Sequence, residues 1–274
     1  MLDDAALAEL TCVLDADPIV NAVVAARVRA AATLRSDRLG GHAVGVRDED
    51  GLSGACFAGG NLLPIGGDEA TWRVLAEFVA GRDRLCSSIV GRADAVAAFW
   101  AVLEPRWGPA RAVRSTQPLL ITDALPRVRA DDQVRPARLQ HLERYLPAAA
   151  AMFTEELGVS PHVSPGTAPF HARMRQLISD GRAFVSTDFR GQVVFKAEIA
   201  AVSAHTAQIQ GVWVRPDLRG RGIGASGLAT VIAHALELAP TVSLYVNDFN
   251  LPARRMYERL GMREHATLAT VLLA

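Results

Sequence analysis

The chain has 274 residues, half of them hydrophobic, with 29 basic and 29 acidic side chains and a formal net charge of zero. That length suffices for one large domain or two modest ones with a real core. The balanced charge argues against a polyanion binder that works through bulk charge, and no basic run with interleaved aromatics points to nucleic acid.

Only Lys196 among the 29 basic residues is a lysine, a bias that most simply reflects a GC-rich genome. Arginines therefore carry meaning only where their spacing gives it. Cys12, Cys56 and Cys86 are odd in number and form no CxxC, which disfavours a disulfide framework and a zinc site and fits a reducing compartment. "MLDDAALAEL" has no basic n-region, and no apolar run reaches the ~18 residues of a membrane span. A cytoplasmic protein with no membrane partner is expected.

In chain order, 18–31 reads as a helix and 43–65 as two or three short strands. A helix over 70–81, a strand over 86–91, a helix over 93–107 and a strand over 110–121 follow. Trp72, Phe78, Phe99, Trp100 and Trp107 read as helix-face packing residues, and His42 as part of a turn. The polar stretch 120–138, with Pro126 and Pro136, is the linker candidate. It divides an N-terminal domain, 1–128, from a C-terminal one, 129–274.

The second half opens with helices over 142–158 and 168–181 that end at Gly158 and Gly181, with Pro147 marking an early break or start. A hairpin over 182–202 turns at Arg190-Gly191, and a strand covers 207–214. A helix over 225–239 is stopped by Pro240, and strand 242–248, helix 251–261 and strand 266–273 close the chain. The fold class is thus α/β with a mixed sheet. The two halves share an order of elements, which implies a duplicated fold. Where the second half has "GVWVRPDLRGRGIGASG" (211–227), the first has "PIGGDEA" (64–70), so its copy reads as degenerate.

Residues 211–227 suggest phosphate: glycine lets backbone approach a ligand and arginine offers a planar fork. A P-loop would need GxxxxGK[ST], and no such lysine follows these glycines. Gly222, Gly224 and Gly227 do spell G-x-G-x-x-G, with Asp248 near the place of a ribose-binding acid. Against that dinucleotide reading, Arg215 to Arg221 intervene between strand and fingerprint, and little chain follows Asp248. The third reading uses Arg219-Gly220-Arg221-Gly222-Ile223-Gly224 as [Q/R]-x-x-G-x-[G/A]. The loop's amides and the positive end of the next helix would wrap a diphosphate.

On "GVWVRPDLRGRGIG" (211–224) and "LYVNDFNLPARRMYERLGM" (244–262), residues 131–274 resemble a GCN5-related N-acetyltransferase (GNAT) domain. The complete chain resembles two-domain bacterial GNAT proteins whose N-terminal domain has no assigned activity. The resemblance implies two splayed central strands and acetyl-CoA as donor, with no metal. It implies that Val212, Trp213 and Val214 meet the pantetheine by backbone. Arg219, Gly220, Arg221, Gly222, Ile223, Gly224 and Ala225 would hold the diphosphate, and Tyr257 would act as general acid. Asn247 and Asn250 are candidate cofactor contacts, with capping and turn formation as the alternative. The acceptor would be a primary amine of a small molecule or protein, and an oligomer is compatible with all of this.

The base is less determined. Gln208 and Gln210 stand where many relatives carry a glutamate, and neither can accept a proton in that way. Glu198 is the candidate, although alternation puts it and Lys196 on one strand face ~6.6 Å apart, which also suits an ion pair. His162 and His171 are further candidates. Residues 1–128 commit to no chemistry and are expected to pack against the second half and shape the acceptor pocket. Two other functions stay open: a non-catalytic acyl-CoA sensor, and an oxidoreductase resting on G-x-G-x-x-G alone.

Overall fold

A computed structural model of the chain describes residues 1–161 and 167–274. The first half contains α1 (Leu7–Asp15), α2 (Ala22–Ala31), α3 (Ser36–Leu39), β1 (Gly41–Asp48), β2 (Gly51–Gly59), β3 (Leu62–Gly66), α4 (Glu69–Ala80), β4 (Ser88–Arg92), α5 (Ala93–Trp107) and β5 (Ala112–Thr122). The second contains β6 (Arg135–Pro136), α6 (Leu142–Leu157), α7 (Thr167–Ser179), β7 (Ala183–Thr187), β8 (Val193–Val202), β9 (Thr206–Val214), α8 (Ile223–Leu236), β10 (Thr241–Tyr245), α9 (Leu251–Arg259) and β11 (Arg263–Leu272).

Local chemistry sets the boundaries. The Asp68 carboxylate accepts from Thr71 N and starts α4, and Asn250 accepts from Ala253 N with Pro252 in the first turn of α9. Gly158 in the left-handed region stops α6. Pro147 lies inside α6 and neither breaks nor opens it. The expected linker is shorter than its composition suggested, because β5 runs to Thr122. His42 opens β1 opposite Ala58, so the expected turn is a strand there. Phe78 faces solvent with the Arg82 guanidinium over its ring, unlike the buried Phe99 and Trp100.

The described residues form one eleven-stranded mixed sheet in the order β1-β2-β3-β4-β11-β5-β10-β9-β8-β7-β6. Each half has two antiparallel pairs followed by a parallel one: β1–β2–β3 then β4, and β7–β8–β9 then β10. The duplication expected from element order is therefore real, with α4 and α8, and α5 and α9, in matching places. The halves exchange their last strands. β5 lies between β10 and β11, and β11 pairs with β4. The 1–128/129–274 division thus describes the chain's order, while the sheet runs through both parts. Helix α2 of the first half also packs against β8 and β9.

Two large cores follow from this layering. One packs Phe195, Ile199, Leu228, Val231, Ile232 and Leu244 beneath α8 and α9; the other packs Leu75, Val96, Phe99 and Leu103 beneath α4 and α5.

Candidate active site

β9 and β10 pair only at Thr241–Thr206, Val242–Ala207 and Ser243–Gln208. Beyond that point β9 runs on to Val214 while β10 turns toward β5, where Val246 N donates to Pro118 O and Asp248 N to Thr116 O. A gap opens between them. On the other edge of β9 the register with β8 slips between Lys196–Trp213 and Glu198–Gln210, a bulge centred on Gly211 at φ 62°. A Cβ on Gly211 would lie 3.0 Å from Lys196 Nζ and 3.1 Å from Glu198 Oε2, so only glycine fits. This is the splay expected of the two central strands.

The glycine-rich loop leads from β9 into α8. Gly220 (φ 76°) and Gly222 (φ 83°) take the left-handed conformation, and a Cβ on either would meet nothing within 4 Å. Their surroundings are therefore open rather than filled by packing. No side chain caps the start of α8, Ala225 N and Ser226 N turn back to Gly222 O, and the positive end of the helix faces this space. Gly224 and Gly227 do a different job: their Cβ atoms would lie 3.0 Å from Met256 Sδ and 2.9 Å from the Phe195 ring, so α8 sits hard against α9 and β8. Turn, helix contact and sheet contact together account for the G-x-G-x-x-G spacing without a dinucleotide fold. Ile223 and Ala225 are half-buried in the first turn, and Arg221 is exposed. Arg219 donates from Nε to Val214 O at 3.0 Å and from Nη2 to Glu155 Oε2 at 2.7 Å.

Along β9 the side chains alternate. Trp213 is buried against α6 and α7 with its indole N–H donating to Glu155 Oε1 at 3.2 Å, while Val212 and Val214 pack on the α8 core. Tyr257 of α9 is buried in that same core beside Val246, Leu260 and Met262. Burial, and then the Glu156 charge, raise its hydroxyl above the ordinary tyrosine range, so it stays protonated.

Both asparagine side chains bond within the chain. Asn250 caps α9, and Asn247 Oδ1 accepts from Gln117 Nε2 at 2.8 Å, with Gln117 Oε1 accepting in turn from Thr270. Glu198 does likewise. It is almost fully buried, accepting from Lys196 Nζ, from Tyr145 Oη at 3.0 Å and from Gln210 Nε2 at 3.3 Å. Lys196 also sits over the Tyr145 ring. A carboxylate held by a buried ammonium and two neutral donors fills the ion-pair role that strand alternation also suits. His171 lies half-buried on α7 beside Phe170, and His162 falls outside the described residues.

Sequence reasoning passed over Glu156. It is solvent-accessible, yet protein crowds it on most sides, and that crowding raises its carboxyl above the ordinary glutamate range despite Lys196 and Arg114 nearby. Tyr245, at the end of β10, is also accessible and crowded, and its hydroxyl is raised by burial and then by Glu156. Across the gap, Arg114 of β5 donates to Glu156 O. Arg114 of the first half thus reaches the end of α6.

Residues 153–262 match the model of the Acetyltransferase (GNAT) family. Over this part the chain is similar to that family. Residues 41–145 match a family described as a domain of unknown function (DUF4081). Among solved structures, a Drosophila protein is similar over 99% of this chain and 97% of its own, at 12% identity and a TM-score of 0.68. A GCN5-related N-acetyltransferase from Sphaerobacter thermophilus covers 94% of this chain and 92% of its own, at 18% identity and a TM-score of 0.56. A GNAT-family acetyltransferase from Colwellia psychrerythraea covers 85% and 86%, at 13% identity and a TM-score of 0.55. At such identities the likeness is one of fold, and it extends over both halves. No curated protein matches the sequence. Among the described residues no helix is long and apolar enough to cross a membrane, and no group of three or more His, Cys, Asp or Glu is gathered to hold a metal.

Proposed function

We propose that the chain is an acetyl-CoA-dependent N-acetyltransferase that moves an acetyl group directly to a primary amine of a small molecule or protein. The observation that carries this is the open glycine turn at the start of α8, set beside the β9/β10 gap, with the Glu156 charge near enough to raise the Tyr257 and Tyr245 hydroxyls. The site fits the donor: empty space at Gly220 and Gly222, helix-start amides and Arg221 suit a diphosphate, and the edge of β9 beyond its last pairing with β10 suits amide groups. When bound, acetyl-CoA supplies an activated thioester.

The chain's own groups then manage protons. Tyr257 holds a proton on its hydroxyl for the leaving sulfur, and burial keeps it there at working pH. Glu156 takes a proton from the acceptor ammonium, and its raised pKa brings it closer to the operating range of a base. Because the active form of a base is deprotonated, the rate rises with pH through the Glu156 pKa. The non-catalytic reading draws support from Glu198, whose carboxylate is tied up in the β8 ion pair.

The test is calorimetric titration with acetyl-CoA, with NAD as control, followed by turnover of a panel of primary amines. Binding of acetyl-CoA and acetylation of an amine are expected. Tyr257→Phe lowers kcat by about 10²-fold with acetyl-CoA affinity unchanged, and Glu156→Gln removes the acidic limb of the pH–rate profile. Binding without turnover of any amine favours a sensor, and NAD binding overturns the reading.

A further inference from the structure

The last turn of α6 reads Thr154-Glu155-Glu156-Leu157. Two carboxylates at a helix C-terminus face the negative end of the helix dipole, so local energetics do not explain them. The tertiary contacts of Glu155 do. Its Oε1 accepts from Trp213 Nε1 at 3.2 Å and its Oε2 from Arg219 Nη2 at 2.7 Å. One carboxylate thereby joins the end of α6 to the strand that lines the gap and to the first arginine of the glycine-rich loop. Arg219 is further fixed by its 3.0 Å bond to Val214 O.

The ion pair is exposed on both sides, with 47% of the Arg219 side chain and 43% of the Glu155 side chain accessible. Such a pair is weak, screened and easily exchanged. A diphosphate at the start of α8 would be a stronger partner for the Arg219 fork than a single half-solvated carboxylate. It would also repel the Glu155 carboxylate.

We propose that Glu155 is a positioning residue that holds Arg219 in the free protein and yields it to the donor's diphosphate. The exchange releases the last turn of α6, and that turn carries Glu156. Donor binding at the loop is thereby coupled to the acceptor side of the gap. This inference rests on the acetyl-CoA reading above.

Calorimetric titration of acetyl-CoA into the wild type and Glu155→Gln tests it. Glutamine keeps an oxygen for the Trp213 indole and removes the competing charge. The variant is expected to bind acetyl-CoA about three- to fivefold more tightly. S-acetyl-pantetheine, which has no phosphate, is expected to show no gain. Hydrogen exchange over 154–158 is expected to speed up when acetyl-CoA joins the wild type, and to be fast and unresponsive in the variant. A purely structural Glu155 would give weaker binding on substitution. Equal or weaker binding of acetyl-CoA by Glu155→Gln, or an equal gain for S-acetyl-pantetheine, overturns the proposal while leaving the acetyl-CoA reading standing. Failure of the wild type to bind acetyl-CoA overturns both.

Discussion

The turn after β3 and the turn after β9 stand in equivalent places in the two halves, and both carry glycines in the left-handed region. After β9, the space around Gly220 and Gly222 is empty. After β3, the same kind of turn is filled. A Cβ on Gly66 would lie 2.5 Å from Val13 Cγ1, and one on Gly67 2.8 Å from Thr71 Cγ2. The Asp68 carboxylate accepts from Thr71 N at 2.9 Å and Thr71 Oγ1 at 2.8 Å, so the start of α4 already holds an anion of its own. Trp72 closes the turn by donating to Gly66 O. Pro64 rests against Gly91 where β3 and β4 would part. Glycine permits the turn in both halves; the halves differ in the space around it and in whether a carboxylate caps the helix that follows.

The comparison breaks most completely at the seam. Because β5 fills the place between β10 and β11, a chain of 129–274 lacks the strand that pairs with both. Expressed alone, 1–128 and 129–274 are each expected to lose cooperative unfolding, since each leaves long unpaired edges. Co-expression is expected to restore a 1:1 complex with the heat-unfolding transition of the intact chain. A soluble, cooperatively folded 129–274 would show that the exchange of last strands is dispensable.

A second contrast lies in the strands behind the turns. β8 buries Lys196 and Glu198, whereas β2 buries Ala55, Cys56 and Phe57. Burial pushes the Cys56 thiol up to about 12, as befits an apolar setting. Lys196→Met leaves the Glu198 carboxylate buried without its cation and is expected to cost about 3–5 kcal/mol. Lys196→Met with Glu198→Leu makes β8 apolar like β2 and is expected to recover most of that loss in urea unfolding. If the double variant stays as unstable as the single one, the pair contributes more than mutual compensation.

Much of this was legible. Helix 142–158, hairpin 182–202 and the loop 211–227 announce themselves through periodicity and through Gly158, Arg190-Gly191 and Gly222, which act over a few residues. The helix Leu7–Asp15 was passed over although Leu10 and Leu14 supply its buried face. The exchange of β5 and β11 was not legible, because "ARAVRSTQPLLI" reads as a strand whatever lies beside it. For Glu198, alternation reveals the face but not the partners Lys196, Tyr145 and Gln210. Glu155 and Glu156 left one trace, two acids in a helix's last turn where the dipole disfavours them.

The sharpest pairing of the two halves uses one substitution in each turn. Gly222→Glu forces a side chain into a left-handed position and sets a carboxylate in the space where the diphosphate is proposed to lie. Acetyl-CoA affinity is expected to fall at least about 100-fold, equivalent to roughly 2.7 kcal/mol or more, with the fold intact. Asp68→Ala removes the carboxylate from the equivalent turn. Because Thr71 hydrogen bonds hold Asp68 below the ordinary carboxylate range, its contribution is present at neutral pH and fades as pH falls through that lowered value. Losing the cap is expected to lower Tm by about 2–4 °C at pH 7 and by less at pH 3. Acetyl-CoA binding should not change, because the first turn remains packed by Val13, Thr71 and Trp72 and gains no arginine. An Asp68→Ala chain that binds a second acetyl-CoA would mean that the carboxylate alone closes the first half, and that its turn is a blocked site rather than a filled one.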